Sequence, residues 1–375
     1  MRLPVVIFFT AATLKPDHLK ARFLRKGHKE VKLTFKKTGL VAVAIAGAAA
    51  LGLSACSAPA TSAGSTSKSA AALADGFGSR AANRTVYFLT YYDPSTDPFW
   101  NQIYSGAKDA AQIGDLKLVH QTAASVDTKM VDLVETAIAT KPAMIVMPFN
   151  AGEAWVKAAC DAKAAGIPVM AYNVPPPADG VKCTLGFVGQ DFRAVGSIIG
   201  KSLLSQVKLK PGDKVLLPAE HAEQPYAVAR GGGVNDALTA AGLDEGIFLT
   251  TKDSETDTLS ILTSWLVANK DVKAIVPLGG TPHRMLVKAE DAAGVTAPII
   301  GFDTSPQVIA GIKSGRILGT ADQQGYVQGF QSVMQGILNL DFGLSAANIN
   351  SGGNALITKD NVKNLEAKDL SGVRY

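Results

Sequence analysis

MVDLVETAIATKPAMIVMPFNAGEAWVKAACDAKAAGIPVMAY, residues 130–172, decides the fold. Met130, Val131, Val134 and Ile138 recur at helical spacing, and the run Ala143–Met147 is apolar on every residue. A second helical pattern follows from Glu153 to Ala165, then another apolar run from Pro168 to Tyr172. Strands that are apolar on both faces, separated by amphipathic helices, imply a parallel sheet covered by helices on both sides.

The same alternation extends in both directions. Upstream lie the runs Thr85–Leu89 and Leu116–His120, with a helix over Phe99–Ala111 that places Ile103, Ala107 and Ala110 on one face. Downstream of Gln190 a second series begins, with strands expected at Lys214–Leu217, Gly246–Leu249, Ala274–Pro277, Ala297–Phe302 and Ile317–Ala321. Helices are expected between them, at about 192–206, 226–241, 258–268, 281–293 and 305–314, and a last long one over 325–340. The fold class is therefore α/β, with two doubly wound parallel-sheet lobes. The ~290 residues from Arg84 onward also exceed what one hydrophobic core usually supports. In such sheets ligands bind beyond the carboxyl ends of the strands, so the loops after strands are where chemistry is sought.

The N-terminal segment reads as an export signal. Lys32, Lys36 and Lys37 precede a charge-free apolar run, Gly39–Leu53, which ends in Leu53-Ser54-Ala55-Cys56. A basic segment, a short apolar one and small residues before a cysteine form a processing site. Residues 1–55 are thus expected to be leader and lipoprotein signal, with Cys56 carrying the lipid. A signal beginning near Val31 has ordinary proportions, so a later start of translation is expected. Residues 56–83, rich in Ala, Ser and Thr, are expected to be a flexible tether. The location implied is the outer face of the cell membrane, reached through the lipid anchor only.

Charge supports this division. The chain has a formal charge of +5, but its first 38 residues hold ten of the 37 Lys/Arg and two of the 32 Asp/Glu, leaving 27 against 30 beyond Cys56. The basicity belongs to the leader and gives no reason to invoke nucleic acid. With Cys56 lipidated, Cys160 and Cys183 remain. An oxidising compartment permits a bridge between them, and two separately buried thiols are the alternative.

Two loops stand out. After the first strand comes Thr90-Tyr91-Tyr92-Asp93-Pro94-Ser95-Thr96-Asp97-Pro98-Phe99-Trp100. Aromatic rings stack on the C–H faces of sugars, and carboxylates and amides match hydroxyl pairs, so this mixture suits a neutral polyhydroxy ligand. Asp97 also reads as a helix cap with Pro98 at the first helical position, and the two roles are compatible. Asp303, in Gly301-Phe302-Asp303, ends a strand and either faces the crevice or caps the next helix. Asn150, Asn173 and Gln323 hold equivalent strand-end positions, Gln190 closes the first lobe, and Arg230 is placed to reach from the second. Together Tyr92, Asp97, Phe99, Trp100, Asn150, Asn173, Gln190, Arg230, Asp303 and Gln323 are the candidate ligand contacts.

Signals for catalysis are thin. Gly200-Lys201-Ser202 resembles the end of a phosphate-binding loop, but Val195 stands where that motif needs glycine. There is no Gly-x-Ser-x-Gly, His-Glu-x-x-His or Cys-x-x-Cys. His221 and Glu223 read as a solvated loop and not as a metal pair, and Gly231-Gly232-Gly233 as a place of close helix packing. No cofactor or metal is expected.

On these residues the stretch Thr85–Thr358 resembles the ribose-binding family of periplasmic sugar-binding proteins, receptor subunits of ABC importers. The matching points are Asp97-Pro98-Phe99-Trp100 where that family commonly has Asn-Pro-Phe-Phe, Gly166-Ile167-Pro168-Val169, Gly301-Phe302-Asp303, and Gln323 after the following strand. The resemblance implies that Phe99 and Trp100 sandwich a sugar ring and that Asp303 and Gln323 bind hydroxyls. It further implies a first lobe of residues 84–190 plus 324–350, a second of 191–323 plus 351–375, a hinge of three crossovers, and capture of a monosaccharide or polyol by lobe closure for delivery to ABC permease subunits, as a monomer. Met147, Asn173, Gly279-Gly280 and Val228 depart from the ribose pattern, and Tyr91 and Tyr92 lengthen the first loop, so ribose itself is not the expected ligand. Three other readings share parts of the pattern. A receptor that passes occupancy to a membrane signalling partner would have the same fold. A transcription regulator of the related repressor family would need an N-terminal helix-turn-helix, and a secreted hydrolase would need a nucleophile or metal set.

Overall fold

The structure, a computed structural model, describes residues 76–352, 356–365, 370 and 372–374. The signal run, Cys56 and most of the expected tether lie outside the described residues. The first lobe contains strands β1 (Thr85–Thr90), β2 (Lys117–Thr122), β3 (Met144–Met147), β4 (Val169–Asn173) and β5 (Phe187–Gly189). Between them run helices α1 (Pro98–Ile113), α2 (Asp127–Thr140), α3 (Val156–Ala164) and the short α4 (Ala178–Val181). The second lobe repeats the scheme with β6 (Val215–Ala219), β7 (Ile247–Thr250), β8 (Ala274–Ile275), β9 (Ile299–Phe302) and β10 (Ile317–Ala321). Its helices are α5 (Phe192–Gln206), α6 (Pro225–Ala240), α7 (Glu255–Ala268), α8 (Gly280–Ala293) and α9 (Pro306–Ser314). The chain then returns to the first lobe as α10 (Gly325–Phe342) and β11 (Ile349–Asn350), and ends in the second with β12 (Leu356–Thr358).

Each lobe holds a six-stranded sheet. The first runs β11-β5-β4-β3-β1-β2 and is parallel throughout; the second runs β12-β10-β9-β8-β6-β7, with β12 alone antiparallel. The chain therefore passes between the sheets three times: after β5, after β10 and after β11. All three crossings leave from one side of the molecule, and the edge strands β2 and β7 lie at the other. The strands β5, β11 and β12 and the helix α4 carry too few residues for their patterns to be legible in the sequence. The sequence also ended the β6 strand early, at Leu217.

Full burial of β3, β4, β6 and β9 accounts for their unbroken apolar runs. Glycines let flanking helices meet backbone to backbone. A Cβ on Gly106 would lie 2.1 Å from the Tyr326 carbonyl oxygen, so α1 and α10 close as they do because that position has none. In the triglycine segment, Gly233 meets the Arg193 carbonyl of α5 in the same way, at 2.1 Å.

Residues 76–83, read from composition as the end of the tether, are held against the first lobe. Asp341 accepts from the backbone N–H of Gly78 at 2.7 Å and of Ala81 at 3.2 Å, and pairs with Arg84. Phe77 stacks on Phe342. Cys160 of α3 is bridged to Cys183, just after α4, with Cα atoms 4.9 Å apart. Among the described residues no helix is long and apolar enough to cross a membrane.

Candidate functional site

The carboxyl ends of both sheets face one another across a cleft. It holds a cavity that opens to solvent. Of the ten residues proposed from sequence as ligand contacts, nine line it: Tyr92, Asp97, Phe99, Trp100, Asn150, Asn173, Arg230, Asp303 and Gln323. Gln190 does not. It is buried in the crossover after β5, against Gly352 of the last crossover.

The local sequence explains how these side chains are aimed. Asp97 caps α1, its carboxylate accepting from the Trp100 N–H at 3.0 Å with Pro98 at the first position, and it also faces the cavity. Asp303 is not a cap, because Ser305 takes that role on α9. Asn173 ends β4 and Asp303 directly follows β9, the fourth strand of each lobe, and both adopt left-handed backbone, with φ of 60° and 71°. Asn and Asp tolerate that region better than other side-chain-bearing residues, and such conformations gather at functional sites.

Gln323 joins the two halves. Its amide donates to Asp303 Oδ1, and its own oxygen lies 3.4 Å from Asn173 Nδ2, which also donates to Gln328 Oε1 at 3.0 Å. Gln328 in turn donates to Ser351 Oγ at 3.0 Å, so the network reaches two crossovers. On the second lobe Arg230 is buried between the rings of Phe192 and Phe302, 4.6 and 4.4 Å from their centroids. One of its nitrogens donates to the Leu278 carbonyl, and its Nη1 is 3.8 Å from Asp303 Oδ2. Burial pushes the Asp303 carboxyl up to about 6, against the opposing pull of Arg230 and Gln323. Asp97 is raised by burial as well, and Arg230 is lowered by it.

The aromatic residues are arranged differently from the sandwich expected. Phe99 and Trp100 stand edge to face, with an interplanar angle of 83° and centroids 6.2 Å apart, so as they stand the pair does not offer two parallel plates to one ring. Trp100 is fixed by Tyr92 and Tyr172, at 5.8 and 6.0 Å. The facing lobe supplies Phe192 and Tyr226 to the same cavity.

Sequence reasoning missed Glu220, Phe192, Tyr226 and the Gly279-Gly280-Thr281 segment, all of which line the cavity. Glu220 directly follows β6, three residues beyond Leu217 where the expected strand ended, and strand-end logic applied to the true terminus at Ala219 finds it. Its carboxylate accepts from Tyr226 Oη at 2.6 Å and from the Thr281 N–H at 2.7 Å. A Cβ on Gly279 would meet Glu220 Oε2 at 1.7 Å, which explains the glycine: the carboxylate occupies that space.

Side-chain contacts run from one lobe to the other. Tyr92 Oη donates to Asp253 Oδ1 at 2.8 Å, Gln224 Nε2 donates to Tyr91 Oη at 3.2 Å, Gln102 Nε2 lies 3.4 Å from Thr304 Oγ1, and Arg284 Nη1 is 3.7 Å from Asp97 Oδ2. His221 meets the same Asp253 oxygen at 3.0 Å, which raises its pKa. Among the described residues no group of three or more His, Cys, Asp or Glu is placed to hold a metal.

Two lobes closed over a polar, aromatic-walled cavity define a ligand-capturing clamp. Residues 87–343 match the periplasmic binding protein domain, and the chain belongs to that family. It is 28% identical over 295 residues to the xylose/arabinose-binding protein XylF of Sulfolobus acidocaldarius, covering 72% of this chain and 70% of that one. A D-galactose/methyl-galactoside binding periplasmic protein, MglB of Haemophilus influenzae, is 28% identical over 265 residues, 64% of this chain and 76% of its own. Among solved structures, a carbohydrate transporter from Acidothermus cellulolyticus in complex with myo-inositol superposes with a TM-score of 0.68 at 25% identity, covering 78% of this chain and all of that one. An ABC transporter solute-binding protein from Agrobacterium vitis with bound D-fucose has a TM-score of 0.67 at 22% identity, covering 78% of this chain and 100% of that one. The fold is thus the type I periplasmic binding protein fold; the relatives are sugar-binding proteins, and the structural neighbours include ABC transporter solute-binding proteins.

Proposed function

We propose that the chain is a lipid-anchored receptor that captures a monosaccharide or polyol by closing its lobes and delivers it to an ABC-type permease. The observation that carries this reading is the cavity itself. Aromatic rings from both lobes meet Asp303, Gln323, Asn173 and Arg230 there; Gln323 donates to Asp303 within the second lobe and faces Asn173 of the first at 3.4 Å. Rings suit the C–H faces of a sugar, and amide and carboxylate groups suit its hydroxyls. Ligand contacts made to both lobes at once stabilise the closed state, so binding energy selects the form a permease recognises.

Thermal shift of the full-length chain against pentoses, hexoses, polyols and amino acids tests the ligand class, because a specific ligand raises the melting temperature by mass action. Stabilisation by amino acids alone overturns the sugar reading. Replacement of Cys56 by Ser is expected to release the protein from membranes, and membrane retention of that variant removes the lipid anchor from the proposal.

A further inference from the structure

The cleft does not end at the first-loop aromatics. Tyr92, Asp97 and Thr281 also line a second, solvent-open space between the same two lobes. Its other walls include Ser125, which follows β2, and Asp253, which follows β7. Those are the edge strands farthest from the crossovers, whereas Asn173 and Gln323 in the inner cavity belong to the hinge side. The two spaces therefore lie in series from hinge to mouth.

The outer walls are polar and predominantly acidic. Asp93, Asp97, Asp253 and Glu255 face it, against the guanidinium of Arg284, engaged by Glu255 at 2.7 Å and 3.7 Å from Asp97, and His221, which stands behind the wall 3.0 Å from Asp253. An anionic group entering here meets carboxylates with no free cation to offset them, while hydroxyls find acceptors. We infer that the ligand is extended: a glycoside or short oligosaccharide whose one ring fills the inner cavity and whose second, uncharged and hydroxylated unit lies in the outer one. This rests on the sugar reading above and narrows it.

The experiment is calorimetric titration of the full-length chain with matched pairs: galactose and lactose, xylose and xylobiose, glucose and cellobiose, myo-inositol and galactinol, with glucose 6-phosphate as the anionic probe. For the pair that binds, the longer member is expected to bind at least as tightly as the shorter. Thr96→Trp, which places a bulky side chain in the outer cavity from an exposed loop position, is expected to weaken the longer member about tenfold or more and leave the shorter one unchanged. A pair in which only the single unit binds, an equal effect of Thr96→Trp on both members, or tight binding of the phosphorylated sugar overturns the inference while leaving the sugar reading intact. Failure of every compound removes both.

Discussion

Replacing Asp303 by Asn should remove a pH dependence that the parent protein carries. Burial raises the Asp303 carboxyl from 3.8 to about 6, because the charged form loses water that Arg230 and Gln323 replace only in part. Between those values the folded protein keeps a proton that the unfolded chain releases. Since the folded state binds more protons there, stability falls as pH rises through the window, by about 3 kcal/mol in all. Other carboxyls titrate nearby, Asp97 and Asp322 raised and Asp93 and Asp341 lowered, so the informative quantity is the difference between parent and variant. Urea unfolding of both proteins across this range should give curves that diverge between about pH 4 and 6, the parent losing ground as pH rises. Parallel curves would refute the reasoning. The same ionisation governs binding: a carboxylate accepts two hydroxyls where the protonated acid accepts fewer, so ligand affinity should strengthen as pH rises through about 6. The variant should bind about 30- to 1,000-fold more weakly at neutral pH, the equivalent of roughly 2–4 kcal/mol. Unchanged affinity would place the ligand elsewhere in the cleft.

Further outcomes are expected at four other residues. Of the three tryptophans only Trp100 lines the inner cavity, so Trp100→Phe should abolish the ligand-induced change in indole fluorescence while the protein stays folded; a persisting change means the signal arises at Trp155 or Trp265. Cys160→Ser opens a bridge spanning a separation of 23 residues and should cost about 3 kcal/mol, read as a lower melting temperature that reductant no longer affects. Tyr92→Phe removes one hydrogen bond across the mouth and should speed ligand release about fivefold, measured by stopped flow, the equivalent of ~1 kcal/mol. Because Asp253 raises the pKa of His221, that pair stabilises the fold fully below 6.5 and loses its contribution as pH climbs through the raised value. His221→Gln should flatten that alkaline loss, and an unaltered profile would show that the pair contributes nothing.

What the sequence alone determined follows from periodicity and local chemistry. Runs such as Met144–Met147 and Ile299–Phe302 are apolar on both faces because central parallel strands are covered twice, and a period of that kind needs no knowledge of distant residues. Asp97-Pro98 likewise announces a helix start through neighbours alone. The strand-end rule then found Asn150, Asn173, Asp303 and Gln323, because a parallel sheet sends every such residue toward one crevice.

Tertiary structure decided the rest, and in each case through contacts between residues far apart in the chain. Strands β5, β11 and β12 are two or three residues long and exist only because a neighbouring sheet edge offers them partners. Gln190 looks like a site residue by position, yet the crossover turns it toward Gly352. Glu220 owes its place to Tyr226 and to the Thr281 N–H, and Gly279 makes room for it, a relation no local pattern encodes. The perpendicular setting of Phe99 and Trp100 and the Tyr92–Asp253 contact across the mouth are likewise products of packing. Local patterning fixes which elements form, because it depends on neighbours in the chain; the shape of the cleft depends on which surfaces those elements bury against each other.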